Sequence, residues 1–318
     1  MNIQIVKFDC KSLTWNLLKL SFYVSVNSIT IIFDKKIYYF RKKDFNQLIG
    51  MKIGTREFNT RENTYIMGIL NVTPDSFSDG GKYQGVDKAL KRAEEMIAEG
   101  ADILDIGGES TRPGYTKISE EEEMERILPI IEAIKARFDI PISVDTYKSK
   151  VADMAIKAGA DLVNDIWGLK ADPHMAEVIM KHKVACCLMH NRKQLQYENF
   201  LEDILFDLKE SIQIAKDAGI ENNKIILDIG VGFAKTYEQN LLAIKNLEQL
   251  HVLGYPVLLG TSRKSVIGLT LNLPSEERIE GTLVTTVLAV QKGCGFVRVH
   301  DIKENYRAIQ MTKAILNI

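Results

Sequence analysis

Eight short apolar runs, each ending on a polar residue, constrain this chain more than any other feature of its sequence. Ile66 to Leu70 ends on Asn71, Ile103-Leu104 on Asp105, Ile142 to Val144 on Asp145, and Leu162-Val163 on Asn164. Val184 to Met189 ends on His190, and Ile225 to Leu227 on Asp228. Pro256 to Leu259 leads to Thr261-Ser262-Arg263-Lys264, and Phe296-Val297 runs into Arg298-Val299-His300. A parallel strand covered on both faces is apolar almost throughout, so each run reads as such a strand. The position just past its carboxyl end is where a side chain leaves the core and reaches a ligand.

The stretches between the runs have helical periodicity, and their ends carry helix signals. Helices are expected over Val86–Glu99, closed by Gly100, and from Ser119, where Ser119-Glu120-Glu121-Glu122 suits a capping box. Others are expected over Lys148–Ala158, Pro173–Lys181, Phe200–Ala218, Glu238–Leu250, Glu276–Lys292 and Asn305–Leu316. Met51 to Thr64 reads as a short hairpin ahead of the first main strand. Eight strands alternating with helices over residues 51–318 fit a closed (β/α)8 barrel better than an open doubly wound sheet. The open sheet's Gly-x-Gly-x-x-Gly is missing; Ile229-Gly230-Val231-Gly232 lacks its third glycine.

Residues 1–50 are different material, with no alanine, proline or glutamate, and glycine only at Gly50. They are rich in Phe, Tyr, Ile, Asn and Lys, as upstream AT-rich sequence would be if translated, so Met51 is the expected native start. The rival reading is a strand-forming appendage used for association. Lys19 and several hydroxyl and amide residues interrupt the apolar stretch Leu13–Phe33, which argues against a membrane span. The net charge of −1 argues against nucleic acid as a partner. Cys10, Cys186, Cys187 and Cys294 lack metal spacing and read as reduced structural thiols, which fits the cytoplasm. Cys186 and Cys187 should face opposite sides of their strand.

At one barrel mouth, Asp145, Asn164, Asp228 and Lys264 would offer donors and acceptors to a flat polar heterocycle such as an aminopyrimidinone. Buried carboxylates there equally suit metal ligation or general-base work. Singly, each is as readily a helix cap or an ion-pair partner. Arg298 and His300 alternate along the last strand, which neighbours the first in a closed barrel, so with Asn71 they suit a phosphate or pyrophosphate. Asn71 could instead bind a hydrated Mg²⁺ bridging those phosphates. The plainer alternative pairs Arg298 and His300 with Asp301 or Glu304 at the surface. Two long loops, Thr73–Gly81 and Gly107–Gly114, have the length and Gly/Pro content of lids, with Phe77 to stack on a ring and Arg112 to hold an anion.

Ile69-Leu70-Asn71-Val72-Thr73-Pro74-Asp75-Ser76-Phe77-Ser78-Asp79-Gly80-Gly81 and Asp105-Ile106-Gly107-Gly108-Glu109-Ser110-Thr111-Arg112-Pro113-Gly114 closely resemble the dihydropteroate synthases. The resemblance continues through Ser143-Val144-Asp145-Thr146, Asn164-Asp165, Leu188-Met189-His190, Gly232-Phe233-Ala234-Lys235, Ser262-Arg263-Lys264-Ser265 and Arg298-Val299-His300, covering residues 51–318 but not 1–50. It implies a TIM barrel that condenses 6-hydroxymethyl-7,8-dihydropterin pyrophosphate with 4-aminobenzoate, releasing pyrophosphate by a dissociative route. It further implies Asp145, Asn164, Asp228 and Lys264 on the pterin, and Asn71, Arg298 and His300 on the pyrophosphate, with Mg²⁺ at Asn71. Thr111, Arg112, Pro113, Phe77, Phe233, Lys264 and Ser265 would shape the aminobenzoate site, and the late helices a homodimer. One departure is Ile229 after Asp228, where the family usually has proline; it relaxes a turn but removes no functional group. Two rivals remain, a folate–corrinoid methyltransferase and a catalytically silent pterin-binding paralogue.

Overall fold

The computed structural model describes residues 20–25, 28–33, 36–41, 50–72, 81–109 and 117–318. The chain divides into two compact units, Met1–Gly50 and Met51–Ile318. In the first, β1 (Leu20–Ser25), β2 (Ser28–Phe33) and β3 (Lys36–Arg41) pair antiparallel in chain order. Their aromatic and β-branched residues have the propensity for strands.

The second unit opens with the expected hairpin, β4 (Met51–Ile53) and β5 (Arg56–Phe58), turned at Gly54 with φ +57°. Eight strands then close a parallel barrel: β6 (Tyr65–Asn71), β7 (Ile103–Gly107), β8 (Ile142–Asp145), β9 (Leu162–Asp165), β10 (Ala185–Met189), β11 (Ile225–Asp228), β12 (Val257–Leu259) and β13 (Phe296–Val299). The last strand pairs with the first, Arg298 beside Met67.

Around the barrel run α1 (Gly81–Glu99), α2 (Glu120–Arg137), α3 (Ser149–Ala158), α4 (Met175–His182), α5 (Phe200–Asp217), α6 (Tyr237–Lys245), α7 (Ser265–Leu271), α8 (Ile279–Gln291) and α9 (Ile302–Leu316). Ser119 caps α2 by accepting from the Glu122 amide at 3.1 Å, but Glu122 spends its carboxylate on Arg126, so the expected reciprocal box is half made. The helix expected over Glu238–Leu250 breaks at Asn246, and Leu247–Leu253 continues as a 3-10 helix. The short α7 was not expected; its seven residues are too few for helical periodicity to stand out.

Two apolar shells hold the barrel together. The outer shell lies between strands and helices and takes Leu104, Val144, Val163, Cys186, Leu227 and Val297. The inner shell takes the alternate strand residues Met67, Ile103, Leu162, Cys187, Ile226, Leu258 and Phe296, together with Met51, Ile53 and Phe58 of the hairpin. Adjacent Cys186 and Cys187 therefore do face opposite sides, and both are buried free thiols, as is Cys294; Cys10 lies outside the described residues. Phe58 packs edge-on to Tyr65 at 4.9 Å and against Phe296 at 5.7 Å. Burying each such ring stabilises the fold by about 1.5–3 kcal/mol. The hairpin thus stops the amino-terminal end of the barrel with hydrocarbon, and polar groups are left to the other end.

Candidate active site

Strand alternation places the site. Inner-shell residues Ile103, Leu162, Ile226, Leu258 and Phe296 lie two positions before Asp105, Asn164, Asp228, Gly260 and Arg298, so these share the inward face one layer higher. Ser143 and Asp145 follow the same period on β8, with Ser143 beside Asp105 and Asp145 beside Asn164 across the sheet. The barrel interior thus turns from hydrocarbon to charge within one side-chain layer.

Arg298 organises that layer. Its Nε donates to Asp105 Oδ2 at 2.6 Å and its Nη2 to Asp145 Oδ2 at 2.6 Å. The surface pairing with Asp301 or Glu304 is overturned for Arg298: Asp301 instead takes Arg263, at 2.5 and 3.1 Å. Burial works against the Arg298 charge, yet the two carboxylates outweigh it and hold the guanidinium above its ordinary value. Burial also pushes the Asp145 carboxyl up, to about 7; Arg298 opposes that rise and the Asp105 charge adds to it.

Asp228 closes the opposite side. Its Oδ1 accepts from the Gly230 amide at 2.8 Å, and its carbonyl accepts from the His190 amide at 2.8 Å. Ile229 beside it is fully buried in the outer shell, so packing does part of what a proline would do for this turn. Burial raises the Asp228 carboxyl, opposed mainly by Lys264. Lys264 Nζ donates to the Val231 carbonyl and stands 4.8 Å from the Phe233 ring centre, a cation–π contact. Burial lowers its ammonium to about 8, with Asp228 opposing the fall.

Asn71 ends β6 exposed and pairs in register with Gly107. A Cβ on Gly107 would sit 3.8 Å from Asp145 Oδ2 and 3.9 Å from Asn71 Oδ1, so this glycine keeps clear the space between the two. Gly260 does the same between Asp228 and Arg298, where a Cβ would meet Asp228 Oδ2 at 3.6 Å and Arg298 Cβ at 3.8 Å. His300 Nδ1 lies 3.0 Å from Ser262 Oγ, which also receives the His300 amide at 3.2 Å. Ser265 is exposed as the first residue of α7.

Phe77, Thr111, Arg112 and Pro113 lie outside the described residues. The flanks of the second long loop are described, and a buried ion cluster joins them. Glu109 accepts from the Ile118 amide at 3.0 Å, from Tyr147 at 2.8 Å and from Lys148 at 2.8 Å. Lys148 spends its other donors on Glu123 at 2.7 Å and the Ile118 carbonyl at 2.9 Å.

Sequence reasoning picked out Asp105 as a strand ending but gave it no role in the site, and it missed Ser143. Asp105 lies inside β7 rather than past its end, and the signal that it faces inward is its place between Ile103 and Gly107 at period two. Asp105 Oδ1, Ser143 Oγ and Asp145 Oδ1 are buried oxygens without a hydrogen-bond partner among the described residues. An unpaired buried oxygen is costly, so the three together mark a place suited to a polar ligand. Among the described residues there is no cluster of three or more His, Cys, Asp or Glu able to hold a metal ion. Beside the mouth, a cavity of about 580 Å³ is lined by Tyr147, Trp167, Lys148, Lys170 and Arg192. Those three cations are paired with Glu109 and Glu123, Glu210, and Asp207, while Lys117 and Lys193 also line the cavity.

Known proteins are similar to this chain in sequence and in structure. A family described as pterin binding enzyme matches residues 67–300. A dihydropteroate synthase of Clostridium beijerinckii is 65% identical over 84% of this chain and 99% of its own length. One of Bacillus subtilis is 58% identical over 86% of this chain and 95% of its own. Among solved structures, a Clostridium difficile dihydropteroate synthase in the presence of pteroic acid superposes with a TM-score of 0.79 at 50% identity, covering 81% of this chain and 98% of that one. A Xanthomonas albilineans dihydropteroate synthase with 4-aminobenzoic acid gives 0.81 at 38% identity, covering 85% and 99%.

Proposed function

This chain belongs to the dihydropteroate synthase family, and on that premise we propose how its barrel mouth joins 6-hydroxymethyl-7,8-dihydropterin pyrophosphate to 4-aminobenzoate in folate biosynthesis. The observation that carries this reading is the Arg298 guanidinium bound to Asp105 and Asp145 in the same layer as Asn164 and Asp228. The pterin edge binds to Asp145, Asn164, Asp228 and Lys264, its donors meeting carboxylates and its carbonyl or ring nitrogen meeting the amide and ammonium. The pyrophosphate end lies toward Asn71, Arg298 and His300. Gly107 and Gly260 leave room for the flat ring and its substituent.

The C–O bond to pyrophosphate breaks first, and the electron-rich dihydropterin ring delocalises the positive charge left behind. The Asp145 carboxylate stabilises that charge while Arg298 and His300 stabilise the departing oxygens. The aromatic amine then forms the C–N bond and gives up a proton, needing no strong base. Phe233, Lys264 and Ser265 border the aminobenzoate, with Phe77, Thr111, Arg112 and Pro113 completing that side. Water must be excluded because it would trap the cation.

Mg²⁺ suits this mouth only as an ion that keeps most of its ligands from water and substrate phosphates, given the sparse protein donor set. Asn71 would be its protein ligand, and the ion would supply charge neutralisation to the leaving pyrophosphate.

Leu269, Val284, Met311 and Ile315 are exposed on α7, α8 and α9, which supports a homodimer through the late helices. The enzyme acts on small molecules in the cytoplasm, a reading supported by its free buried thiols. No described helix is long and apolar enough to cross a membrane.

Mixing both substrates with the enzyme and measuring pyrophosphate and dihydropteroate tests the reading. Equal amounts of the two products are expected. Pterin binding without aminobenzoate-dependent product would instead support the silent paralogue, and methyl transfer from a folate the corrinoid-linked enzyme.

A further inference from the structure

His190, a strand ending for which the proposed reaction has no use, is at the centre of a buried chain of charges. Its side chain is fully buried and its ring bonds at both nitrogens: Nε2 lies 2.9 Å from Asp207 Oδ2, and Nδ1 lies 2.9 Å from Lys235 Nζ. Beyond Asp207 stands Arg192, with Nε at 2.5 Å and Nη2 at 3.2 Å from the carboxylate. The chemistry of the end groups decides the protons. A carboxylate only accepts and an ammonium only donates, so His190 is neutral, with its proton on Nε2. Burial, the largest influence on the ring, lowers its basicity to about 4, in keeping with that form.

Lys235 uses all three of its N–H bonds. Besides His190, it donates to the Gly230 carbonyl at 2.9 Å and the Phe233 carbonyl at 3.0 Å. Those two carbonyls bracket a turn with one backbone bond of its own, the Phe233 amide donating to the Gly230 carbonyl at 3.1 Å, and Gly230, Gly232 and Ala234 in it all have positive φ, at 73°, 86° and 45°. A non-glycine residue in that region is strained and needs outside support. Neighbouring elements supply it, since Tyr197 donates to the Ala234 carbonyl at 2.8 Å and Asn240 accepts from the Gly232 amide at 2.6 Å. The same turn presents the Val231 carbonyl to Lys264 and the Phe233 ring beneath it.

We propose that Lys235, held in place by His190 and Asp207, is a positioning residue that fixes the Gly230–Ala234 turn and thereby sets Phe233 and Lys264 for the second substrate. This rests on the reading of Phe233 and Lys264 as the border of the aminobenzoate site. Of the four pterin residues, Asp228 also meets the turn, through the Gly230 amide, and Lys264 is shared, whereas Asp145 and Asn164 stand on other strands; the pterin so keeps contacts the turn does not reach, while Phe233 and Lys264 both depend on it. The chain acts through other residues and touches no reacting atom.

The full-length enzyme tests this with each substrate varied at saturating concentration of the other. His190→Gln keeps an acceptor and a donor on one planar group, and should leave both KM values within about twofold of wild type. His190→Leu fills the space but breaks both bonds, and should raise the KM for aminobenzoate about tenfold or more while moving the pterin KM less than about threefold. Parallel rises in both KM values, or equal damage by Gln and Leu, would overturn the proposal. Should the leucine variant not fold, ¹⁵N NMR of the wild-type imidazole decides instead. A neutral ring protonated at Nε2 across neutral pH is expected, and an Nδ1–H or doubly protonated ring would overturn the chain. A wild-type enzyme that makes no dihydropteroate would overturn the reaction assignment itself, an outcome distinct from any variant pattern.

Discussion

Arg298 Nη2 donates to Asp145 Oδ2 at 2.6 Å, joining a residue read for the leaving phosphate to one read for the pterin ring. Positive charge on the ring and negative charge on pyrophosphate develop together as the C–O bond breaks. A buried ion pair between the two residues proposed to stabilise them means neither waits uncompensated before substrate arrives, and each can turn to its own developing charge.

Asp145→Asn keeps the shape and removes the charge. The variant should fold with an unchanged melting temperature to within a few degrees, while kcat falls by about 10²–10³, the usual worth of one preorganised electrostatic group. Steady-state kinetics beside thermal unfolding would check it, and unchanged turnover would refute the role.

Asp105→Asn should act differently, because Asp105 is fully buried and holds the other side of Arg298. Loss of one partner from a buried ion pair costs about 3–5 kcal/mol. It also removes a like charge that raises the Asp145 carboxyl, so Asp145 should ionise at lower pH in the variant. Urea unfolding reads the first effect, and the acid limb of the pH–rate profile reads the second.

The pH profile of kcat/KM reports the free enzyme and should be bell-shaped. Activity should rise as Asp145 ionises near its value of about 7 and fall as Lys264 loses its proton near about 8. The stability consequence of Asp145 runs the other way. Its folded carboxyl holds a proton that the unfolded one, near the ordinary value of 3.8, has already lost. Between those two values this group's contribution therefore declines as pH rises. A profile flat from pH 6 to 9 would remove both assignments.

Lys148→Met strands Glu109 and Glu123 as buried carboxylates that have lost their shared cation. Destabilisation of about 3–5 kcal/mol is expected from breaking such a buried cluster. Glu109→Gln with Lys148 intact should cost less, since Glu123 and the Ile118 carbonyl still receive the ammonium. Comparing the two by denaturant unfolding distinguishes a shared cluster from independent surface pairs.

Gly260→Ala places a methyl 3.6 Å from Asp228 Oδ2, an ordinary contact distance, so folding should be untouched. The methyl does occupy the space proposed above for the ring. Pterin affinity should fall about tenfold or more, on the scale of one methyl group in a fitted pocket. Calorimetric titration with a pterin would check it.

Much of this was legible in the chain itself. Asp145, Asn164, Asp228 and Arg298 could be placed at one mouth because a parallel strand has period two and ends where hydrophobicity stops. The hairpin and the opposed faces of Cys186 and Cys187 follow from the same local rule. The break in the helix at Asn246 did not follow, because its amide side chain competes for the Leu242 carbonyl at 2.9 Å and periodicity carries no trace of that.

The sequence by itself determined the barrel, its polar end and most residues at that end, since each depends on spacing along one strand or helix. Only the tertiary structure decided which partners those residues take. Arg298 meets Asp105 and Asp145 across separations of 193 and 153 positions, and Lys235 meets His190 across 45. Barrel closure brings β13 round to β6 and β7, and that closure selects Asp105 and Asp145 for Arg298 over the nearby Asp301 and Glu304. A local pattern says which way a side chain points, whereas the charge it faces is set by the chain's return from far away.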